Sequence, residues 1–189
     1  MTFQLTEPIL LIGLGGVGAR LGGTAKKSLN SDCLLISHDQ KDLTPENSIK
    51  ISTKSVVNPS THLIRGSALE TSDEIKKNIA NYSTVILISN LAGKAGAGIG
   101  PIISRICKQE QKNLLSFVIM PFKFEKERIF QSGIALKRIR QDSKCTIVVD
   151  NDALLDSNPD LTQKQCYDIS NSAIEGMLHS LKSSEISED

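Results

Sequence analysis

Apolar residues come in short, unbroken runs rich in β-branched side chains: Ile9–Leu14, Cys33–Ser37, Thr84–Ser89, Leu114–Met120 and Cys145–Val149. Runs in which neighbouring positions are apolar, rather than alternate ones, belong to strands covered on both faces. That is the pattern of a parallel sheet between helices. Between the runs the apolar period lengthens to that of a helix. Val17–Leu29 places Leu21, Ala25 and Leu29 on one face, and Ile99–Gln109 does so with Ile99, Ile102, Ile103 and Ile106. Glu125–Arg140 predicts a helix with Ile129, Ile134, Leu136 and Ile139 inward. Ser72–Ala80 predicts a short amphipathic helix capped by Thr71 or Ser72. A last helix, from about Leu161 to Leu181, is announced by Asn158-Pro159-Asp160 and turns Ile169, Ala173, Met177 and Leu178 inward. Asp39–Ser60 is polar, carries Pro45 and Pro59, and predicts a loop with little core. The alternation predicts an α/β fold: a doubly wound, mostly parallel sheet with helices on both faces.

Composition narrows the function classes. The 189 residues suit one domain over 1–182, with an acidic, serine-rich frayed tail over 183–189. A net charge of +1 offers no global field for nucleic acid or an anionic membrane. Cys33, Cys107, Cys145 and Cys166 are scattered with no C-x-x-C pair, which argues for free thiols rather than zinc or disulfides. His38, His62 and His179 form no metal-binding pattern. No secretory signal or bilayer-length apolar segment is evident, and a cytoplasmic protein is expected.

In open α/β sheets ligands sit where strands lead into helices. The first such loop, Gly13-Leu14-Gly15-Gly16-Val17-Gly18-Ala19-Arg20, lets backbone approach a phosphate beside a helix N-terminus. The loop after the second strand carries Asp39, which suits either ribose hydroxyls or phosphate and metal. A second glycine-rich turn, Ala92-Gly93-Lys94-Ala95-Gly96-Ala97-Gly98, predicts another backbone open to an anion. Two such turns suggest one polyphosphate gripped from both sides. Asp150-Asn151-Asp152 reads as a polar turn. Asp168 on the last helix offers a carboxylate that can take guanine N1–H and its amino group together.

In this order the loops resemble the GTP-binding domain of the tubulin/FtsZ family, from about Ile9 to Leu181. The first turn looks like the family's glycine-rich first loop, and Ala92–Gly98 like its G-G-G-T-G-T-G signature. Pro121-Phe122-Lys123-Phe124-Glu125 is similar to the P-F-x-F-E segment, and Asn151-Asp152-Ala153-Leu154-Leu155 to N-D-x-L-L. Tyr167-Asp168-Ile169 and Ala173-Ile174-Glu175-Gly176 resemble the start of the central helix. The resemblance implies GTP or GDP as ligand, with Mg2+ near Asp39. Phosphate contacts would come from Gly16, Val17, Gly18, Ala19, Arg20, Lys94, Ala95 and Gly96. Glu125 would bind the ribose with Arg128 beside it, and Asp168 would read guanine. Gly13, Gly15, Gly93 and Asn151 complete the candidate set.

The departures shape the expected activity. Arg20 stands where FtsZ usually has Asn. Ala92, Lys94, Ala95 and Ala97 replace two glycines and both threonines of the signature. The loop before the Ser72 helix lacks the glycine-rich third loop, and no aromatic residue precedes Asp168 at the stacking position. The chain ends where the central helix would lead to the family's catalytic loop and second domain. These features imply weak or absent GTPase activity alone, and a role in cell-division or cytoskeletal assembly by self-association or beside a full-length relative. Two alternatives stay open: an interaction module that has lost nucleotide binding, and a Rossmann protein binding NAD(P) or FAD.

Overall fold

The computed structural model describes residues 5–54 and 56–183. Six parallel strands form one sheet: β1 (Ile9–Leu14), β2 (Asp32–Ser37), β3 (Ser48–Lys50), β4 (Thr84–Asn90), β5 (Asn113–Met120) and β6 (Cys145–Asp150). Their order is β3-β2-β1-β4-β5-β6, so the chain winds one way from β1 and then back from β4. The helices are α1 (Gly15–Leu29), α2 (Thr61–Glu70), α3 (Ser72–Ile79), α4 (Lys94–Gln109), α5 (Lys126–Asp142), α6 (Asn151–Ser157) and α7 (Gln163–Ser183). The expected tail lies outside the described residues beyond Ser183.

The doubly wound expectation holds, and each face of the sheet has its own core. On one face Ile12, Ile36 and Leu87 pack with Ile64 of α2, Ile75 and Ile79 of α3, and Ile99, Ile103 and Ile106 of α4. On the other, Leu11, Ile86, Ile88 and Phe117 meet Leu21, Ala25 and Leu29 of α1 and Ile174 and Leu178 of α7. Beneath α5, Leu91, Ala97 and Val118 meet Ala135 and Ile139. The apolar faces expected of α1 and α4 are the buried ones.

Pro101 lies inside α4 and removes one helical donor. The carbonyl four residues earlier, that of Ala97, instead accepts from Arg65 Nη2 of α2 at 3.3 Å. An arginine from a neighbouring helix thus takes the place of the missing N–H.

Several expectations are corrected. The stretch Asp39–Ser60 is not without core. It contains β3, and Ile49 and Ile51 are buried. Thr71 does stand at the N-cap position of α3, but neither its hydroxyl nor that of Ser72 caps the helix, because both donate backwards, to the carbonyls of Ser67 (2.9 Å) and Leu69 (2.6 Å). On α5 the buried positions are Ser132, Ala135 and Ile139, while Ile129 is exposed and Ile134 and Leu136 only half-buried. On α7 Cys166, Ser170, Asn171, Ile174 and Leu178 face inward, whereas Ile169 and Ala173 are exposed. In both helices small or polar residues occupy the close-packed line, which hides it from an apolar count. The polar turn expected at Asp150–Asp152 opens α6, where Asp150 Oδ1 accepts from the Asp152 N–H at 3.0 Å.

Candidate functional site

The sheet reverses its winding between β1 and β4, and their carboxyl ends open into a cleft of about 1060 Å³. Two helices begin there. α1 starts at Gly15, whose φ of 63° is a conformation that side-chain-bearing residues rarely adopt. α4 starts after Gly93, held by a tight turn in which the Asn90 carbonyl and Oδ1 accept from the N–H groups of Gly93 (3.1 Å) and Ala92 (3.0 Å). Neither start has a side-chain cap or an acid in its first turn. A Cβ built on Gly15 would lie 3.1 Å from the Ala95 Cβ, so the two starts are in contact. Their free N–H groups and positive dipole ends lie at one cleft.

The glycines divide into two jobs. Gly15, Gly16 and Gly93 line the cleft. Gly13 and Gly18 face each other instead: a Cβ on Gly18 would come within 2.2 Å of the Gly13 carbonyl carbon, so this pair presses α1 onto β1. Gly96 does line the cleft, but a Cβ there would lie 2.0 Å from the Asn90 carbonyl oxygen, so it also serves packing. The second glycine-rich stretch was expected as an open turn. It is helical from Lys94 onward, and only its first residues present backbone N–H groups to a ligand.

At one end of the cleft Arg20 of α1 reaches Asp168 of α7, Nη1 to Oδ1 at 3.6 Å, with both side chains more than half exposed. Tyr167 also lines the cleft, packed edge-on against Phe122 with ring centres 5.5 Å apart. Burial first, and then the nearby Glu125 charge, push its phenol pKa up. At the other end stand His38, Asp39, Lys41 and Asp42, which follow β2, and Lys94 from α4. Lys41 bridges to Asp39 at 3.0 Å. The Lys94 ammonium donates to the neutral Asn58 side chain. Burial pulls the His38 pKa below its usual value.

Of the expected residues, Gly15, Gly16, Val17, Arg20, Asp39, Gly93, Lys94, Ala95, Gly96, Arg128 and Asp168 come together on this cleft. Gly13, Gly18, Ala19, Glu125 and Asn151 are not among its lining residues. Glu125 is occupied locally: Oε2 accepts from the Phe122 N–H at 3.0 Å and Oε1 from Arg128 at 2.7 Å. Asn151 is fully buried, donating to the Met120 carbonyl at 3.2 Å and accepting from Ser170 Oγ at 2.6 Å. It ties α6 and β5 to α7. Sequence reasoning missed His38, Lys41, Asp42, Asn90 and Asn171 as cleft residues. The first three sit beside Asp39 in a strand-end loop, a signal that was present. Nothing local marks Asn171.

A parallel sheet with helices on both faces and a cleft at its switch point defines a doubly wound α/β protein. Comparison with known proteins gives the family. A family model described as Tubulin/FtsZ family, GTPase domain, matches residues 60–159, more than half of the chain. The chain belongs to the tubulin/FtsZ family. It is 26% identical over 176 residues to cell division protein FtsZ 2 of Halobacterium salinarum, covering 85% of this chain and 43% of that protein. It is 33% identical over 107 residues to cell division protein FtsZ of Helicobacter pylori, covering 54% and 27%. Among solved structures, an empty FtsZ dimer from M. jannaschii superposes with a TM-score of 0.82 at 20% identity, over all of this chain and 58% of that one. TubZ of Clostridium botulinum phage c-st superposes at 0.70 with 17% identity, over 97% and 62%. The chain thus spans less than half the length of the FtsZ relatives it matches in sequence. Among the described residues no helix is long and apolar enough to cross a membrane.

Proposed function

We propose that the cleft binds a guanine nucleotide. Its phosphates would lie over the starts of α1 and α4, with its base beside Asp168. The observation that carries this reading is the convergence of two helix N-termini, neither capped by its own side chains, on one cleft. Arg20, at the Asn position of the family, sits beside Asp168 and adds a donor for the guanine carbonyl. Lys94 brings a cation to the phosphate end. Mg2+, where bound, would neutralise phosphate charge, with Asp39 as the nearby carboxylate. An NAD(P) or FAD site would need only the first of the two helix starts, and family membership counts against it.

Turnover by this chain is expected to be slow. Phosphoryl transfer depends on oriented water and on charge placed at the terminal phosphate. Ala95 and Ala97 bring no hydroxyl to α4's first turn, and Asp39 is held by Lys41. As in the cell-division proteins it resembles, the role that fits is nucleotide-linked assembly with further copies or with a longer relative.

The test is thermal unfolding with GDP, GTP, xanthosine diphosphate, ATP and NAD, for the wild type and Asp168→Asn. At about 100 Kd a bound nucleotide adds about 2.7 kcal/mol, several degrees in Tm for a domain of this size. Guanine nucleotides should stabilise the wild type. Asp168→Asn should weaken guanine and gain xanthine nucleotides, whose 2-oxo group accepts from an amide. Stabilisation by no nucleotide, or by NAD alone, overturns the reading.

A further inference from the structure

The phosphate end of the cleft holds a carboxylate that the nucleotide reading leaves unused. We propose that Asp42 makes the cleft select by phosphate number, favouring a nucleoside diphosphate over the triphosphate when no divalent cation is present. This deepens the nucleotide reading and rests on it.

Asp42 closes the 3-10 turn Gln40–Asp42 that follows β2. Its carboxylate is held in place: Ser37 Oγ donates to Oδ2 at 2.7 Å and itself accepts from the Asp39 N–H at 3.1 Å. Ser37 is fully buried, and its carbonyl accepts from the Ile51 N–H at 2.9 Å. The serine that aims Asp42 is therefore anchored to the sheet. Oδ1 then stands 3.3 Å from where a Cβ on Gly16 would be, and Oδ2 stands 3.8 Å from the same point on Gly15. A negative group thus sits against the opening of α1, within the cleft.

The geometry orders the ligand along the cleft. Arg20, which meets Asp168, lies five residues further along α1 than Gly15, about 7.5 Å of helix rise. A base placed at Asp168 therefore points its phosphates toward Gly15, Gly16 and Asp42. Each added phosphate extends in that direction, and the third brings a further negative charge toward a fixed carboxylate. Nearby cations do not cancel the repulsion selectively. Lys41 is paired directly with Asp39, and Lys94, at the same end of the cleft, donates to Asn58 and would meet the phosphates of either nucleotide. A divalent cation held at the terminal phosphate would screen that phosphate from Asp42 and relieve the repulsion.

The test is isothermal titration of the full chain with GDP and GTP, in EDTA and then in Mg2+, for the wild type, Asp42→Asn and Asp42→Ser. Asparagine keeps the shape and the Ser37 hydrogen bond and removes only the charge; serine guards against a misfolded first variant. In EDTA the wild type should bind GDP about tenfold more tightly than GTP, the scale of one partly screened like charge. Both variants should bring that ratio close to one. Mg2+ should raise GTP affinity in the wild type and much less in the variants. A ratio unchanged by both substitutions overturns the role of Asp42 while leaving the nucleotide site standing. Failure of both nucleotides to bind any of the three proteins overturns the nucleotide reading, and this inference with it.

Discussion

Two glycines of one helix should respond oppositely to the same substitution. A Cβ at Gly18 would lie 2.2 Å from the Gly13 carbonyl carbon, where ordinary contact begins at 3.4 Å. Backbone faces backbone there, so no rotamer can yield, and α1 has to leave β1 by about 1.2 Å. Strain of this kind falls at the top of the overpacking range, about 3 kcal/mol. Alanine recovers about 1 kcal/mol through its better helix propensity. The net effect of Gly18→Ala is a loss of about 2 kcal/mol, or about 4–8 °C in Tm. Gly23 is exposed on the same helix, and a Cβ there meets nothing within 4 Å. Gly23→Ala keeps the propensity gain alone and should raise stability by about 0.5–1 kcal/mol. Urea denaturation of both variants gives the two free energies. Because Gly15–Val17 form the turn that Gly18 presses onto the sheet, Gly18→Ala should also weaken guanine-nucleotide binding, and Gly23→Ala should not. A Gly18→Ala protein as stable as the wild type, or a Gly23→Ala protein equally damaged, would refute the close-approach argument.

Two further outcomes follow from buried polar groups. Asn151→Ala removes the partners of Ser170 and of the Met120 carbonyl and leaves a buried hydroxyl unmet. A loss of about 2–3 kcal/mol is expected, and a urea-derived loss below about 0.5 kcal/mol would show that the contact is not structural. His38 has a folded-state pKa below its ordinary 6.5, chiefly through burial. The unfolded chain therefore binds the extra proton first. The stability that His38 contributes is present above pH 6.5 and is lost as pH falls through its folded-state value. Between pH 7.5 and pH 5 the wild type should lose more stability than His38→Gln, and parallel curves would exclude the effect.

The central strands were legible because burial on both faces writes itself as continuous apolarity, from Ile9–Leu14 to Leu114–Met120, and the edge strand β6 shares that apolarity although it is only partly buried. β3 was not, since Ser48-Ile49-Lys50 becomes a strand only by pairing with Leu35–Ser37 of β2. α2 escaped notice because Ile64 is the one large apolar residue among its buried positions Thr61, Ile64, Ser67 and Ala68, and Gly98 of α4 makes the room for it. The phases of α5 and α7 were misjudged for the same reason: close packing there selects serine, alanine and asparagine, not the bulkiest apolar residue.

The two glycine-rich loops announced a cleft because their position after strands is a local property, written in composition and order. The residues opposing them are another matter. Asp42 follows Gly16 by 26 positions and Asp168 follows Arg20 by 148, yet each pair meets across the cleft. Local pattern assigned most strands and the faces of α1 and α4. Which charges then confront one another depends on strand order and on the depth at which each helix settles, and those are set by packing over the whole sheet.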